Sequence, residues 1–207
     1  MSRYETTHQA MDALNTASGE ALTDAVELLA EQQHTPAVPH LVRLLDDEML
    51  DAGVRFIIVR ALGRLGDEAA LAILLDELRG DDIWVRAAAT GALISIGSPA
   101  VGGLVTALRD EDKAVRRAAA KALGKIGERG EDQEVLRGLS VGLLDVDGAV
   151  RRFAAEALGR LRAASMVPEL TEALNDRNTG VRIAAFRALA KIDTPEAQSA
   201  VRQWVKQ

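Results

Sequence analysis

The sequence predicts an all-α fold: a right-handed α-solenoid, a superhelix of about six antiparallel helix pairs with one further helix closing its C-terminal end. Three observations carry that expectation. A Val-Arg pair recurs five times, as Val54-Arg55, Val85-Arg86, Val115-Arg116, Val150-Arg151 and Val181-Arg182, at intervals of 31, 30, 35 and 31 residues. Each pair opens a run with apolar residues at helical spacing, clearest as VRRAAAKALGKI over 115–126 and VRRFAAEALGRL over 150–161. A second, shorter apolar stretch precedes every run. A period near thirty made of two amphipathic helices describes a unit too small to bury its own apolar face, stable only when stacked on its neighbours.

From the N-terminus, residues 1–34 read as a divergent cap pair with helices over 4–14 and 21–30. Residues 35–193 hold the five repeats. Their first helices fall at 38–45, 71–78, 101–108, 136–144 and 167–174, and their second helices at 54–65, 85–96, 115–126, 150–161 and 181–192. Thr35-Pro36, Ser98-Pro99 and Thr194-Pro195 each place a hydroxyl before a proline at a first helical position, where the missing N–H breaks no bond. Gly66, Gly97 and Gly127 follow the last apolar position of their runs, where a left-handed residue commonly ends a helix. The 35-residue interval reflects a polar insertion at 128–133, ERGEDQ, read as length variation at an edge. Residues 194–207 form the capping helix. Its apolar positions Ala197, Ala200, Val201, Trp204 and Val205 make one stripe, and its other side is polar. The whole chain, 1–207, reads as one domain.

A chain that is 48% hydrophobic and 27% charged fits a soluble globular protein. The absence of Cys excludes a disulfide framework, a thiolate zinc site and a Cys nucleophile. No secretory h-region and no apolar run of membrane-spanning length is present, so the expected location is cytoplasmic. The formal charge of -6 hides a segregation: 14 of the 25 basic residues but only one of the 31 acidic residues, Glu156, fall in the five Val-Arg runs. One helix of each pair is basic, and the rest of the chain is acidic.

The Val-Arg pair, an Asp five residues ahead of the Val (Asp110, Asp145, Asp176) and the following A-x-x-A-L-x-x-I/L resemble HEAT repeats, in particular the short phycobilisome-lyase HEAT-like type. The resemblance is strong over 36–192 and weak at both ends. It implies a structural ladder in which Asp110, Arg116, Asp145, Arg151, Asp176 and Arg182 bond from repeat to repeat. The first two repeats depart from it: Met49 and Gly80 stand where the Asp belongs, with Asp47, Asp51, Asp81 or Asp82 as substitutes. The type includes bilin lyases and their chaperone-like relatives alongside adaptors, and a fold alone does not choose among them.

On a helical wheel the positions 2, 5, 6 and 9 after each Val lie opposite the core. In a HEAT-like stack they would line the concave face, and small residues along them would leave room for a ligand backbone. The residues there proposed to bind are Phe56, Val59, Arg60, Arg117, Lys121, Arg152, Phe186 and Arg187, a basic centre between apolar ends. Arg64, Lys125, Arg160 and Lys191 flank this row and read as solvated. Trp84, at a turn position filled elsewhere by Gly or Ala, reads as packed over the adjacent helix end, with an interface anchor as the other reading.

Catalytic signals are missing. His8, His34 and His40 lack a carboxylate constellation, and none is followed by the Glu of the HEAT-like di-iron hydroxylases. No phosphate loop or nucleophile elbow occurs, and the acids sit in turns. The expected function is therefore a non-enzymatic scaffold or adaptor, not an enzyme, with no cofactor and no metal. It would engage an acidic or amphipathic protein segment on its concave face. The alternatives are a bilin lyase or tetrapyrrole-handling chaperone, which rests on the resemblance, and a nucleic-acid-binding protein. Nucleic acid is disfavoured by only 3% aromatic residues and by an acidic surround.

Overall fold

The computed structural model describes residues 3–128 and 133–206, in two compact units that divide after Ala100. Among the described residues all regular structure is helical. The first unit contains α1 (Thr7–Ala13), α2 (Gly19–Glu31), α3 (Val38–Leu45), α4 (Ala52–Leu65), α5 (Leu71–Asp76) and α6 (Ile83–Ile96). The second contains α7 (Val101–Ala107), α8 (Lys113–Gly127), α9 (Gln133–Leu143), α10 (Gly148–Arg160), α11 (Val167–Ala173), α12 (Thr179–Ile192) and α13 (Pro195–Val205). Each unit is a run of helix pairs in which the long second helices lie side by side: α4 between α2 and α6, and α10 between α8 and α12. The short first helices pack against them, α3 on α4, α9 on α10 and α11 on α12. This is the α-solenoid class that the repeat predicts.

The start of each of the five Val-Arg helices is set by one side chain. Asp51, Asp82, Asp112, Asp147 and Asn178 stand three residues before the five Val positions, and each accepts a hydrogen bond from the backbone N–H two residues on. Such caps contribute about 1 kcal/mol each. The turn acids are therefore not merely solvated. The proline signals act differently from expectation at two sites: Thr35-Pro36 and Ser98-Pro99 lie in single 3-10 turns, Thr35–Ala37 and Ser98–Ala100, ahead of α3 and α7. Thr194 does cap α13, accepting from the N–H of Ala197 at 3.2 Å.

Gly66 ends α4 with φ of 66°, a left-handed residue as expected. Gly127 does not: it lies inside α8, where a Cβ would come 3.0 Å from side-chain atoms of Val135 and Leu161. It is a packing glycine. Residues 129–132 of the polar insertion lie outside the described residues, and Gln133 already begins α9.

The core is a line of leucines. Leu29, Leu41, Ile58, Leu62, Leu74, Leu78 and Leu93 are fully buried in the first unit, and Leu104, Leu123, Leu139, Leu158 and Leu170 in the second. Among the described residues no helix is long and apolar enough to cross a membrane.

Candidate functional site

The Val-Arg arginines turn back onto the turns that precede them. Arg116 donates through Nη1 to the carbonyls of Asp110 and Glu111, and through Nε and Nη2 to both oxygens of Asp145 in the next repeat, at 2.7 and 3.1 Å. Arg151 repeats this one step on, bonding the carbonyls of Asp145 and Val146 and both oxygens of Asp176 at 2.7 and 2.9 Å. The planar guanidinium fork matches a carboxylate in this way, and a lysine would not. Asp176 is held below the usual carboxylate range, chiefly by its bond from Arg151, against burial, with help from the Asn178 N–H. Arg182 closes on the Asp176 carbonyl and the Thr179 hydroxyl.

In the first unit the pattern adapts. Arg55 bonds the carbonyls of Leu45 and Asp47 and reaches the carboxylate of Glu77. Glu77, three residues ahead of Gly80, thus replaces the missing Asp; Asp82 is occupied in capping α6 and Asp51 in capping α4. Arg86 bonds the carbonyls of Leu78 and Gly80.

The outward row differs from the one the helical wheel gives. Val59 is 0% exposed and leaves the row. So do the small residues expected to make room for a ligand. A Cβ on Gly63 would lie 2.6 Å from the Cα of Ala92, one on Gly124 2.6 Å from the Cβ of Ala157, and one on Gly159 2.5 Å from the Cα of Ala188. These glycines let neighbouring long helices touch. With a long helix on each side, positions 5 and 9 after the Val are mostly buried, and the side chains that emerge follow the inclined ridge 2, 6 and 10. Phe186 is covered as well, its ring 5.5 Å from that of Trp204 on α13. Phe56 is half-buried beneath Arg60, whose guanidinium lies 5.5 Å from its ring centre.

In the first unit the ridge positions are Phe56, Arg60 and Arg64 on α4 and Ala87, Gly91 and Ser95 on α6; in the second unit they are Arg117, Lys121 and Lys125 on α8, Arg152, Glu156 and Arg160 on α10, and Ile183, Arg187 and Lys191 on α12. Several of these cations are already engaged. Arg117 makes a bidentate bond to Asp147 at 2.8 and 2.6 Å, a second rung between repeats rather than a free binding group. That bond, aided by the N–H groups of Val150 and Ala149, holds Asp147 far below the usual carboxylate range despite burial. Arg152 pairs with Glu156 at 2.9 Å and lies 4.6 Å from the Phe153 ring centre. Lys125 and Arg160 both reach Glu128, at 3.1 and 2.6 Å, and together outweigh the burial that alone would raise its pKa. Lys121, Arg187 and Lys191 are exposed and make no ion pair among the described residues. Between α10 and α12 the ridge borders a groove of about 360 Å³, with Arg152, Glu156 and Arg160 on one lip and Ile183, Arg187 and Lys191 on the other.

The helical wheel leaves the flanking cations Arg64, Lys125, Arg160 and Lys191 outside the row, yet they belong to the same ridge. Their four-residue spacing from the row is the sequence signal that marks it. Trp84 is 68% exposed in the first turn of α6, so it is not packed over a neighbouring helix end. His40 lies in α3 with a buried Nδ1 that has no hydrogen-bond partner.

Helix pairs joined by a guanidinium–carboxylate ladder, with a cationic ridge on the long helices, define an α-helical repeat protein of the HEAT kind. The family model described as HEAT repeats matches residues 9–94, 72–142 and 136–207, and the chain belongs to the HEAT-repeat family. Among its similarities are two curated proteins named as bilin lyases. It is 39% identical over 117 residues to the phycocyanobilin lyase subunit beta of Thermosynechococcus vestitus, covering 55% of this chain and 54% of that protein. It is 38% identical over 117 residues to the phycocyanin alpha phycocyanobilin lyase CpcF of Synechocystis sp., covering 55% and 53%. The chain spans about half the length of the curated relatives it matches. A solved structure of the complex of CpcE and CpcF of phycocyanin lyase from Nostoc sp. aligns over 68% of this chain and 88% of that one, at 25% identity and a TM-score of 0.59.

These relatives overturn two expectations: that the chain is a non-enzymatic scaffold, and that it belongs to no enzyme class. They favour the bilin-lyase alternative. The physical reason for the error is that missing nucleophiles exclude only covalent catalysis by the chain's own side chains. Catalysis by holding two reactants in register leaves no such motif.

Proposed function

We propose that this chain is a bilin-lyase-type protein that holds an open-chain tetrapyrrole and presents it to a protein client, working with a second protein subunit. The observation that carries the reading is the 39% identity over 117 residues to a phycocyanobilin lyase subunit. The geometry supports it. A bilin is a flat apolar chromophore carrying two carboxylates, and the long helices offer exposed cations beside small and apolar side chains. The chain has no Cys, so a bond from a thiol of its own to the chromophore is excluded. The role left to the lyase is orientation, which can contribute several kcal/mol to a bimolecular step. An acidic or amphipathic client segment would meet the same cations.

The test is to add phycocyanobilin to the purified chain and follow its visible absorbance and induced circular dichroism. Covalent bilin on apo-phycocyanin would then be measured with CpcE supplied as the second subunit, with and without the chain. The expected result is a saturable spectral change and a higher yield of correctly coloured product. A bilin spectrum indifferent to excess protein, together with an unchanged yield, would sink the reading.

A further inference from the structure

We infer that the groove between α10 and α12 is where the bilin carboxylates are anchored, with Arg187 and Lys191 as the two cations that hold them. This rests on the bilin reading above and goes beyond it by assigning a place and a ligand chemistry. Three observations converge there. The groove has a volume of about 360 Å³ and opens onto the cationic ridge. Of its charged groups, Arg152 and Glu156 neutralise each other and Arg160 is engaged by Glu128. Arg187 and Lys191 stay uncompensated, four residues apart on α12 and both exposed.

Like charges at that spacing sit about 5–6 Å apart at Cβ and destabilise a helix. Lys191 is in the last turn of α12, where the helix dipole favours a cation, but Arg187 stands a turn earlier without that support. An unrelieved local conflict of this kind is expected where a ligand, rather than the fold, supplies the counter-charge. One turn further back on the same ridge Ile183 is 43% exposed, an apolar surface for a pyrrole ring next to the carboxylate anchors. The floor is made of small residues, with Gly159 packed against Ala188. A flat dianion with an apolar body is what this arrangement fits. Two charge-assisted bonds at a half-open site correspond to a tenfold or larger preference for the ionised ligand.

The experiment compares phycocyanobilin with its dimethyl ester, by absorbance titration, on wild type, on the Arg187→Gln/Lys191→Gln double variant, and on Arg43→Gln, an exposed cation on α3 that belongs to neither the ridge nor the groove. The double variant alters two exposed side chains, and its far-UV circular dichroism and melting temperature are recorded alongside. Wild type should bind the free acid about tenfold or more tightly than the ester. The double variant should lose that preference while still binding the ester, and Arg43→Gln should keep it. Free acid and ester bound equally by wild type, or a preference kept intact in the double variant or lost equally in Arg43→Gln, overturns the groove assignment while leaving the bilin reading in place. Binding of neither ligand by wild type removes both.

Discussion

Arg151 shows what a single side chain does in this fold. Its guanidinium satisfies two carbonyls of the turn beside it and both oxygens of Asp176 one repeat on, at 8% exposure. Removing it leaves a largely buried carboxylate and two carbonyls unpaired, and a broken buried pair costs about 3 kcal/mol or more. Arg151→Ala, and likewise Arg116→Ala, should therefore lower the melting temperature by several degrees, whereas Arg187→Ala should change stability by no more than about 0.5 kcal/mol. Calorimetry of the three variants checks this, and equal midpoints for Arg151→Ala and Arg187→Ala would contradict the ladder. The ladder residues were legible in the sequence through the resemblance to HEAT repeats, which implies that the Asp and Arg of successive repeats bond to each other; the recurring offset alone marked them as repeated positions. Glu77 was not legible: it lies three residues from the position the repeat assigns, and only the fold brings it to Arg55.

At the level of the helix, burial of position 9 after the Val separates what the pattern reveals from what it hides. The wheel places Val54, Ile58, Leu62 and Leu65 on the core side, and all are buried. It misplaces Val59 and Gly63, because a wheel describes one helix against one neighbour and these long helices have a long neighbour on each side. Periodicity therefore showed the fold well but the candidate site poorly, and the ridge of cations emerges only when ridge inclination and lateral packing are both considered. The glycines give the clearest check. Gly159→Val would push a branched side chain into the backbone of Ala188, where even a Cβ lies 2.5 Å from the Cα. The helices must separate or the side chain must strain, at a cost of about 1–3 kcal/mol. Denaturant unfolding should show that loss at Gly159, while Gly91→Val, where a Cβ meets nothing within 4 Å, should show much less. Equal effects at the two sites would mean that the long helices are not in close contact.

Along the chain, charge is divided by location: the five Val-Arg helices α4, α6, α8, α10 and α12 carry cations with Glu156 as their one acid, and acids gather in the turns ahead of them. The carboxylates held below their ordinary range, Glu128, Asp147 and Asp176, all fall after Ala100. A carboxylate with a lowered folded-state pKa adds stability that is complete above its unfolded pKa, about 4, and that is lost as pH falls through the folded value. Acidification should accordingly loosen the second unit at these rungs. As pH is lowered from 7 toward 3, amide exchange in α8, α10 and α12, corrected for the intrinsic rate, should accelerate. The Arg117–Asp147 rung sets the steepness of this response, since Asp147 is the carboxylate displaced furthest and it also caps α10. Asp147→Asn retains an acceptor for the cap but removes the charge. It should flatten the acid sensitivity of α10 and lower its protection at pH 7, bringing the two pH values closer together. An unchanged pH response of α10 in Asp147→Asn would show that acid acts on this protein through net charge alone and not through the paired aspartate.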